Sequence, residues 1–349
     1  MTADFLSGEN LYRDVVTYSR FGEHRTATDG ENQTTEWIAE QLRAAGLKTS
    51  FQPFSVETFF VHRTSLTVDN QRVECFPLWP PRSTGPRPIR ARLALLRAGA
   101  NLQKDTIVLI KASRSSGARP YSASGDDAAL RTAAESGALA AVVICNGPSK
   151  EIHAYNTPSG TDVWPVPVVL VPTRDESALV AAAERGAVAS LLVDGSNEPM
   201  VEARNVFGRL DHGKDIIVIS TPKSGWFTCA GERGPGVALF LALARWAGQR
   251  QSPISYLFDC NTGHELMGLG IRRFLEELAP PPAQVLGWIH LGANIATWDW
   301  QESAAGLQRR AQPENYRIMC SSSDLLPLLA NAFANIPGLQ PVVGPGLVR

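Results

Sequence analysis

The chain has 349 residues, the length of roughly two domains of about 150 residues each. Its 33 Lys and Arg nearly balance 34 Asp and Glu, so it lacks the basic excess of a nucleic-acid binder. A hydrophobic fraction of 44% supports a sizeable core and excludes wholesale disorder. No apolar run approaches the ~18–20 residues that cross a bilayer, and the polar opening MTADFLSGENLYRDVVTYSR has no apolar heart of a secretion signal.

Two helices are expected first: one on the stripe Leu11, Val15, Val16 and Phe21, and one from about Glu31 to Ala45, with Asp29 or Gly30 near its start and Gly46 as its cap. An alternating strand, Lys48–Phe54, precedes a hairpin of Phe59–Val68 and Arg72–Phe76 turned at Asp69-Asn70. The run PLWPPRSTGPRP at 77–88 holds five prolines and reads as a linker. From about 90 to 197, short apolar strands (TIVLIKAS, LAAVVICN, PVPVVLVP, VASLLVDG) alternate with Ala-rich helices (DDAALRTAAESGA, DESALVAAAERGA), as in a compact α/β insertion. Beyond 201 come the strand DIIVIST, a helix over Gly236–Ala247, the strand ISYLFDC, a helix over His264–Leu278 and a third buried strand, VLGWIHLG. Such alternation implies an α/β fold with a mostly parallel sheet flanked by helices. Sites in such sheets form where strands hand over to helices.

The odd, widely spaced cysteines (Cys75, Cys145, Cys229, Cys260 and Cys320) include no Cys-x-x-Cys. They argue against a disulfide framework and for a cytoplasmic compartment; most, in runs such as AVVIC, YLFDC and YRIMC, read as small core residues.

Three strand-to-helix junctions carry polar residues. After IVIS lie Thr221, Ser224, Glu232 and Arg233, ahead of a helix N-terminus that favours an anionic group; alternatively this Gly-rich loop merely turns the chain. After YLFDC comes His264-Glu265, placed for metal ligation or acid–base work, or for a helix-start charge beside a solvated cap. The third junction offers His290 and Asn294, with His290 otherwise a satisfied core histidine. His24, His62, His153 and His212 read as structural or surface residues, and Trp298-Asp-Trp300 as core or cleft wall or, alternatively, as an exposed stretch that packs on a neighbour.

In this order the features resemble the M28 family of zinc aminopeptidases. The resemblance rests on GEHRTATDGENQTTEWIAEQLRAAGLKTSFQPF, RNVFGRLDHGKDIIVIS, GPGVALFLALARW and YLFDCNTGHELMGLGIRRFL. It implies a zinc-exopeptidase-like domain from 1–88 and 198–349, interrupted at 89–197 by a protease-associated (PA)-like domain. The family's dizinc site uses His-x-Asp, a bridging Asp, a Glu-Glu pair, an Asp and a final His. Those positions match Thr221 and Lys223, Glu232, His264-Glu265 and Gly292 here, and the final His falls beyond the chain, so a shortened C-terminus is expected. An ammonium at Lys223 repels a dication, so a dizinc centre is not expected.

The leading expectation is a hydrolase of a peptide-like or other amide substrate through an altered site. His264, Glu265, Glu232 and Ser224 are its candidate catalytic residues, with His264 as general base or as base to a Ser224 nucleophile. Arg233, His290, Thr221 and Asn294 are its candidate substrate contacts, Arg233 for a carboxylate. Glu232, Glu265 and His290 would hold one zinc, if any. The alternatives are a non-catalytic pseudo-peptidase that binds such a ligand, and an ordinary zinc aminopeptidase. The expected partner is a small-molecule or peptide-like substrate, with neither nucleic acid nor membrane.

Overall fold

The computed structural model describes residues 4–97, 104–112, 127–145, 150–157, 160, 164–292, 295–303, 306–314, 317, 319–337 and 339. Two helices, α1 (Gly8–Arg20) and α2 (Asp29–Ala44), precede strand β1 (Lys48–Val68) and the short strands β2 (Gln71–Val73) and β3 (Phe76–Pro77). Then come β4 (Ile89–Leu95), β5 (Thr106–Lys111), α3 (Asp127–Glu135), β6 (Ala140–Ile144), β7 (Val168–Val171), α4 (Glu176–Glu184) and the long β8 (Val188–Leu210). The last third holds β9 (Ile216–Pro222), α5 (Gly234–Gly248), β10 (Ser255–Asn261), α6 (Leu269–Glu277), β11 (Val285–His290), the pair β12 (Trp298–Ser303) and β13 (Gly306–Pro313), and α7 (Leu326–Ala332). No helix among the described residues is long and apolar enough to cross a membrane.

One mixed, mostly parallel sheet of 11 strands runs through the molecule in the order β11-β9-β10-β8-β4-β5-β6-β7-β3. Its spine is the antiparallel ladder of β1 on β8, from Lys48↔Arg209 to Val68↔Ala189. The far edge of β8 takes β4 near its start and β10 near its end, so one strand serves two groups of parallel strands.

Around the β9–β11 group, one face packs Phe258 and Val206 against Ile38 and Leu42 of α2 and Phe240 and Leu241 of α5. The opposite face packs Val218 and Leu257 on Phe274 of α6. In the β4–β7 group, Ile107 and Leu109 face one core with Leu179, while Val108 and Ile110 face another with Leu130. That period of two with both faces covered makes TIVLIK apolar throughout. Phe59, Leu66, Val68 and Trp79 join the first of these cores.

The expected hairpin turn forms. The turn at Asp69-Asn70 has both residues at positive φ, +48° and +65°, joining Leu66↔Val73 across a hairpin. Trp298 and Trp300 are 45% and 51% exposed, so the Trp298-Asp-Trp300 stretch does not lie in a core. Cys145 of AVVIC and Cys260 of YLFDC are buried as expected, Cys75 and Cys229 are partly buried, and Cys320 of YRIMC is exposed rather than in a core.

Four details differ. Residues 77–88 are not a free linker: Leu78 and Trp79 are 1% and 5% exposed, because the run packs along the sheet. VASLLVDG does not end near Gly195, since pairing to β1 carries β8 through to Leu210. The expected helix over His264–Leu278 starts only at Leu269, because Met267 and Gly268 take φ of +58° and +70° and leave 264–267 as a turn. The strand in VLGWIHLG is a partly exposed edge, with Leu286 and Ile289 open to solvent, because β11 pairs only with β9 among the described residues.

Candidate active site

The three junctions converge because β9, β10 and β11 are parallel and in register. Asp259 lies beside Ser220, and His290 lies on the other side of Ser220. Helix α5 starts directly behind them. A Cβ on Gly236 would meet Thr221 Oγ1 at 3.0 Å and Gly292 O at 3.2 Å, so only glycine lets the helix approach so closely. From the other end of the chain, Thr28 caps α2 and the segment 24–28 lies against the loop 223–227, with His24 N–H donating to Phe227 O and Gly225 N–H to His24 O.

The charged residues form an inner layer and an outer one. In the inner layer, Lys223 and Glu31 are both fully buried, and Lys223 Nζ is ion-paired with Glu31 Oε1. Glu31 Oε2 accepts from Ala27 N–H at 3.2 Å, and Oε1 also from Thr35 Oγ1 at 3.2 Å. Glu265 is 1% exposed. Its Oε1 accepts from Thr26 N–H at 2.5 Å and its Oε2 from Ser224 Oγ at 2.9 Å. Ser224 Oγ in turn accepts from the backbone N–H of His264 at 3.0 Å. Tyr18 OH donates to Lys223 O at 2.8 Å, and Arg233 Nε to Ser224 O at 3.1 Å. A buried charge is tolerated when it is paired and hydrogen-bonded, and this set supplies both conditions from within.

Burial dominates the proton affinities. It lowers Lys223 to about 8, opposed by Cys260, Glu265 and Asp259. It raises Asp259 to about 7, against Asn261 and Lys223. Asp259 Oδ2 accepts from Asn261 Nδ2 at 3.0 Å while Oδ1 has no hydrogen-bond partner, as suits a carboxyl kept neutral. His24 is fully buried, stacks on Tyr18 at 3.8 Å between ring centroids, and finds no well-aligned partner for either ring nitrogen. Burial accordingly takes it to about 4.

The outer layer is open. Glu232 is 48% exposed, with Oε1 2.7 Å from Arg233 Nη2, an ion pair off the hydrogen-bond direction. His264 is half-buried; burial, then Arg233 and His290, lower it to about 4. His290 is exposed, yet partial enclosure and Arg233 lower it too. His290 Nδ1 lies 2.8 Å from Ser220 Oγ, which also receives Trp288 Nε1–H at 2.7 Å. The hydroxyl proton of buried Ser220 then points at Nδ1, leaving the imidazole N–H on Nε2.

This arrangement corrects part of the sequence reading. Ser224 is fully buried, and its Oγ is held by Glu265 and the His264 backbone, so it does not form a nucleophile–base pair with the His264 ring. Glu232, Glu265 and His290 do not form a metal set, because Glu265 turns inward with both oxygens occupied while the other two face solvent. Among the described residues, no three His, Cys, Asp or Glu side chains gather to hold a metal. Thr221 Oγ1 donates to Leu291 O at 2.9 Å, and Arg233 is 2% exposed. Asn294 lies outside the described residues. A zinc ion with about four N, O or S ligands does not fit these groups, and a dizinc centre fits still less: Lys223 brings a cation of its own, Glu265 has no free oxygen, and Gly292 has no side chain.

Sequence reading missed Glu31, Thr26 and Asp259. Thr28-x-x-Glu31 is a helix-start pattern that explains Glu31 locally, and nothing nearby in the chain points to its pairing with Lys223. Asp259 carries a signal that was readable, a lone carboxylate inside the apolar strand YLFDC.

Comparison with known proteins bears on the fold. The chain superimposes on an aminopeptidase from Aneurinibacillus sp. strain AM-1 with a TM-score of 0.63 at 19% identity, covering 97% of this chain and 80% of that one. BSAP, a zinc aminopeptidase from Bacillus subtilis, gives 0.69 at 18% identity over 96% and 79%. A peptidase M28 precursor from Shewanella amazonensis gives 0.68 at 16% identity over 96% and 78%. The chain therefore has the aminopeptidase-like exopeptidase fold. No protein-family model and no curated protein sequence matches it.

Proposed function

We propose that this chain uses the peptidase-like scaffold as a metal-independent module that holds a peptide-like ligand at the open edge of the sheet. One observation carries this reading: Lys223, Glu31, Glu265 and Ser224 satisfy one another at 0–1% exposure. A general base or a metal ligand must face the substrate, whereas Glu265 is 1% exposed and aims both oxygens at donors of the protein.

The outer layer supplies the binding groups. The half-exposed carboxylate of Glu232 suits a ligand ammonium, and the Nε2–H of His290 suits a carbonyl. His264, neutral above about pH 4, adds a polar neutral ring but little basicity at pH 7. The strands and helices between 89 and 197, whose cores also take in Phe59, Leu66, Val68, Leu78 and Trp79, favour a PA-like insertion that shapes one side of the cleft. Free cysteines suit a reducing compartment.

An altered-site hydrolase is the second reading. It is favoured by the likeness to aminopeptidases and by two neutral histidines and a carboxylate at the accessible edge. A screen of peptide, amide and ester substrates, with and without added zinc, tests both. Binding without turnover, weakened by Glu232→Gln, is expected. Turnover lost in His264→Ala with the fold intact would overturn the binding reading.

A further inference from the structure

The proline-rich run that reads as a linker builds a wall. Trp79, Pro80, Pro81 and Arg82 close one side of a cavity of about 330 Å³, with Phe59 and Glu57 of β1 on another side. That volume is at the lower end of the ~300–1,000 Å³ of ligand pockets. The wall is rigid. The guanidinium of Arg25, 4% exposed, lies 4.2 Å from the Trp79 ring and donates to Thr58 Oγ1 at 2.9 Å. Trp79 also meets Phe59 and Trp226 edge-on at 6.3 and 5.4 Å. Gly195 on β8 leaves room for the Phe59 ring, since a Cβ there would come within 2.4 Å of Phe59 Cε1.

The polar groups are of both signs and belong to different walls. Arg82 anchors its Nε to Trp164 O at 2.7 Å, which fixes the guanidinium while its two Nη groups remain for a ligand. Glu57 accepts from Asn197 Nδ2 through Oε1 at 2.7 Å, which leaves Oε2. At the floor, Thr157 is 3% exposed and its Oγ1 has no hydrogen-bond partner. Apolar walls between a guanidinium and a carboxylate that are not paired with each other match a zwitterion carrying an apolar side chain.

We propose that this cavity is a second binding site, for a short zwitterionic peptide whose carboxylate pairs with Arg82, whose ammonium meets Glu57 and whose side chain lies on Trp79 and Phe59. The site adjoins the buried ion network. Thr157 N–H donates to Glu265 O at 2.9 Å, Leu266 lines the cavity, and Trp226 lies in the loop that follows Lys223 and Ser224. Filling the cavity thus bears on the backbone that holds Glu265. The proposal does not depend on the reading of the open edge.

Titration calorimetry of the full chain with the dipeptide Leu-Phe tests it, alongside N-acetylated and C-amidated Leu-Phe. Each cap is expected to weaken binding about tenfold, the worth of one charge-assisted contact. Arg82→Gln should lose the same factor for Leu-Phe and no longer distinguish the amidated form. Glu57→Gln should do likewise for the acetylated form. Both side chains are exposed, so both variants are expected to fold. His264→Ala should remove only what the open edge contributes to Leu-Phe binding and leave the dependence on Arg82 and Glu57 in place. Absence of binding, indifference to the caps, or binding lost in His264→Ala but kept in Arg82→Gln would overturn the second site; the last result would instead place the peptide at the open edge.

Discussion

The two layers of the candidate site hold the same kinds of residue in opposite conditions. In the inner layer a Lys, two Glu and a Ser are fully or almost fully buried, and every carboxylate oxygen of Glu31 and Glu265 accepts a bond from the protein. In the outer layer Glu232, His264 and His290 reach solvent at the same three junctions. Enclosure makes the difference. Charges out of water need full internal pairing to persist, and full pairing leaves nothing for a substrate. The inner residues therefore hold loops 24–28, 223–227 and 262–266 together, and in the proposed reading ligand binding falls to the outer ones.

Removing one inner partner should have the largest effect. Lys223→Met leaves Glu31 as an uncompensated buried charge and is expected to cost about 3–5 kcal/mol. The double variant Lys223→Met/Glu31→Gln should recover most of that loss. Urea unfolding of the wild type, both single variants and the double variant measures it; losses that simply add would show that the pair is not coupled.

Asp259 separates the layers by pH. Its carboxyl titrates at about 7 in the folded chain and near 4 in the unfolded one. Between those values the folded state binds the extra proton, so this group's contribution to stability falls as the pH rises from 4 to 7 and stays low above. Asp259→Asn should therefore stabilise the protein at pH 8 by roughly 1–4 kcal/mol and leave it nearly unchanged at pH 4. A gain that is equal at both values would contradict this origin.

Glu265→Gln keeps the shape but sets an amide N–H₂ against a donor, Thr26 N–H or Ser224 Oγ–H. A loss of about 1–3 kcal/mol is expected, read as a lower thermal midpoint. Outer substitutions should do least to stability: His264→Ala and His290→Ala are expected to change it by about 1 kcal/mol or less while weakening ligand binding. An outer loss as large as that of Glu265→Gln would erase the distinction between the layers.

Much of the fold was legible in the chain because it is written locally. The unbroken apolar run TIVLI marks a strand covered on both faces, Asp69-Asn70 marks a turn needing positive φ, and the apolar run in GPGVALFLALARWAG marks the buried α5. The convergence of three junctions at one sheet edge was legible too, since parallel strands place their C-terminal ends together. Burial within the site was not. Glu31 and Lys223 are 192 positions apart, and neither neighbourhood shows the pairing. Nor does the run VLGWIHLG reveal that its strand lies at an edge, because an apolar edge strand and a central one share one pattern. The late start of α6 depends on φ at Met267 and Gly268, which the helical spacing of the apolar residues hides.

In the proposed reading, the Lys223 ammonium and its carboxylate partner take up the place where a metal site would be built. The most direct test is the zinc content per chain, by elemental mass spectrometry, of protein purified without chelator and equilibrated with zinc. A content near zero, unchanged in Glu265→Gln, is expected. One or two zinc ions per chain, lost in that variant while it remains folded, would contradict it.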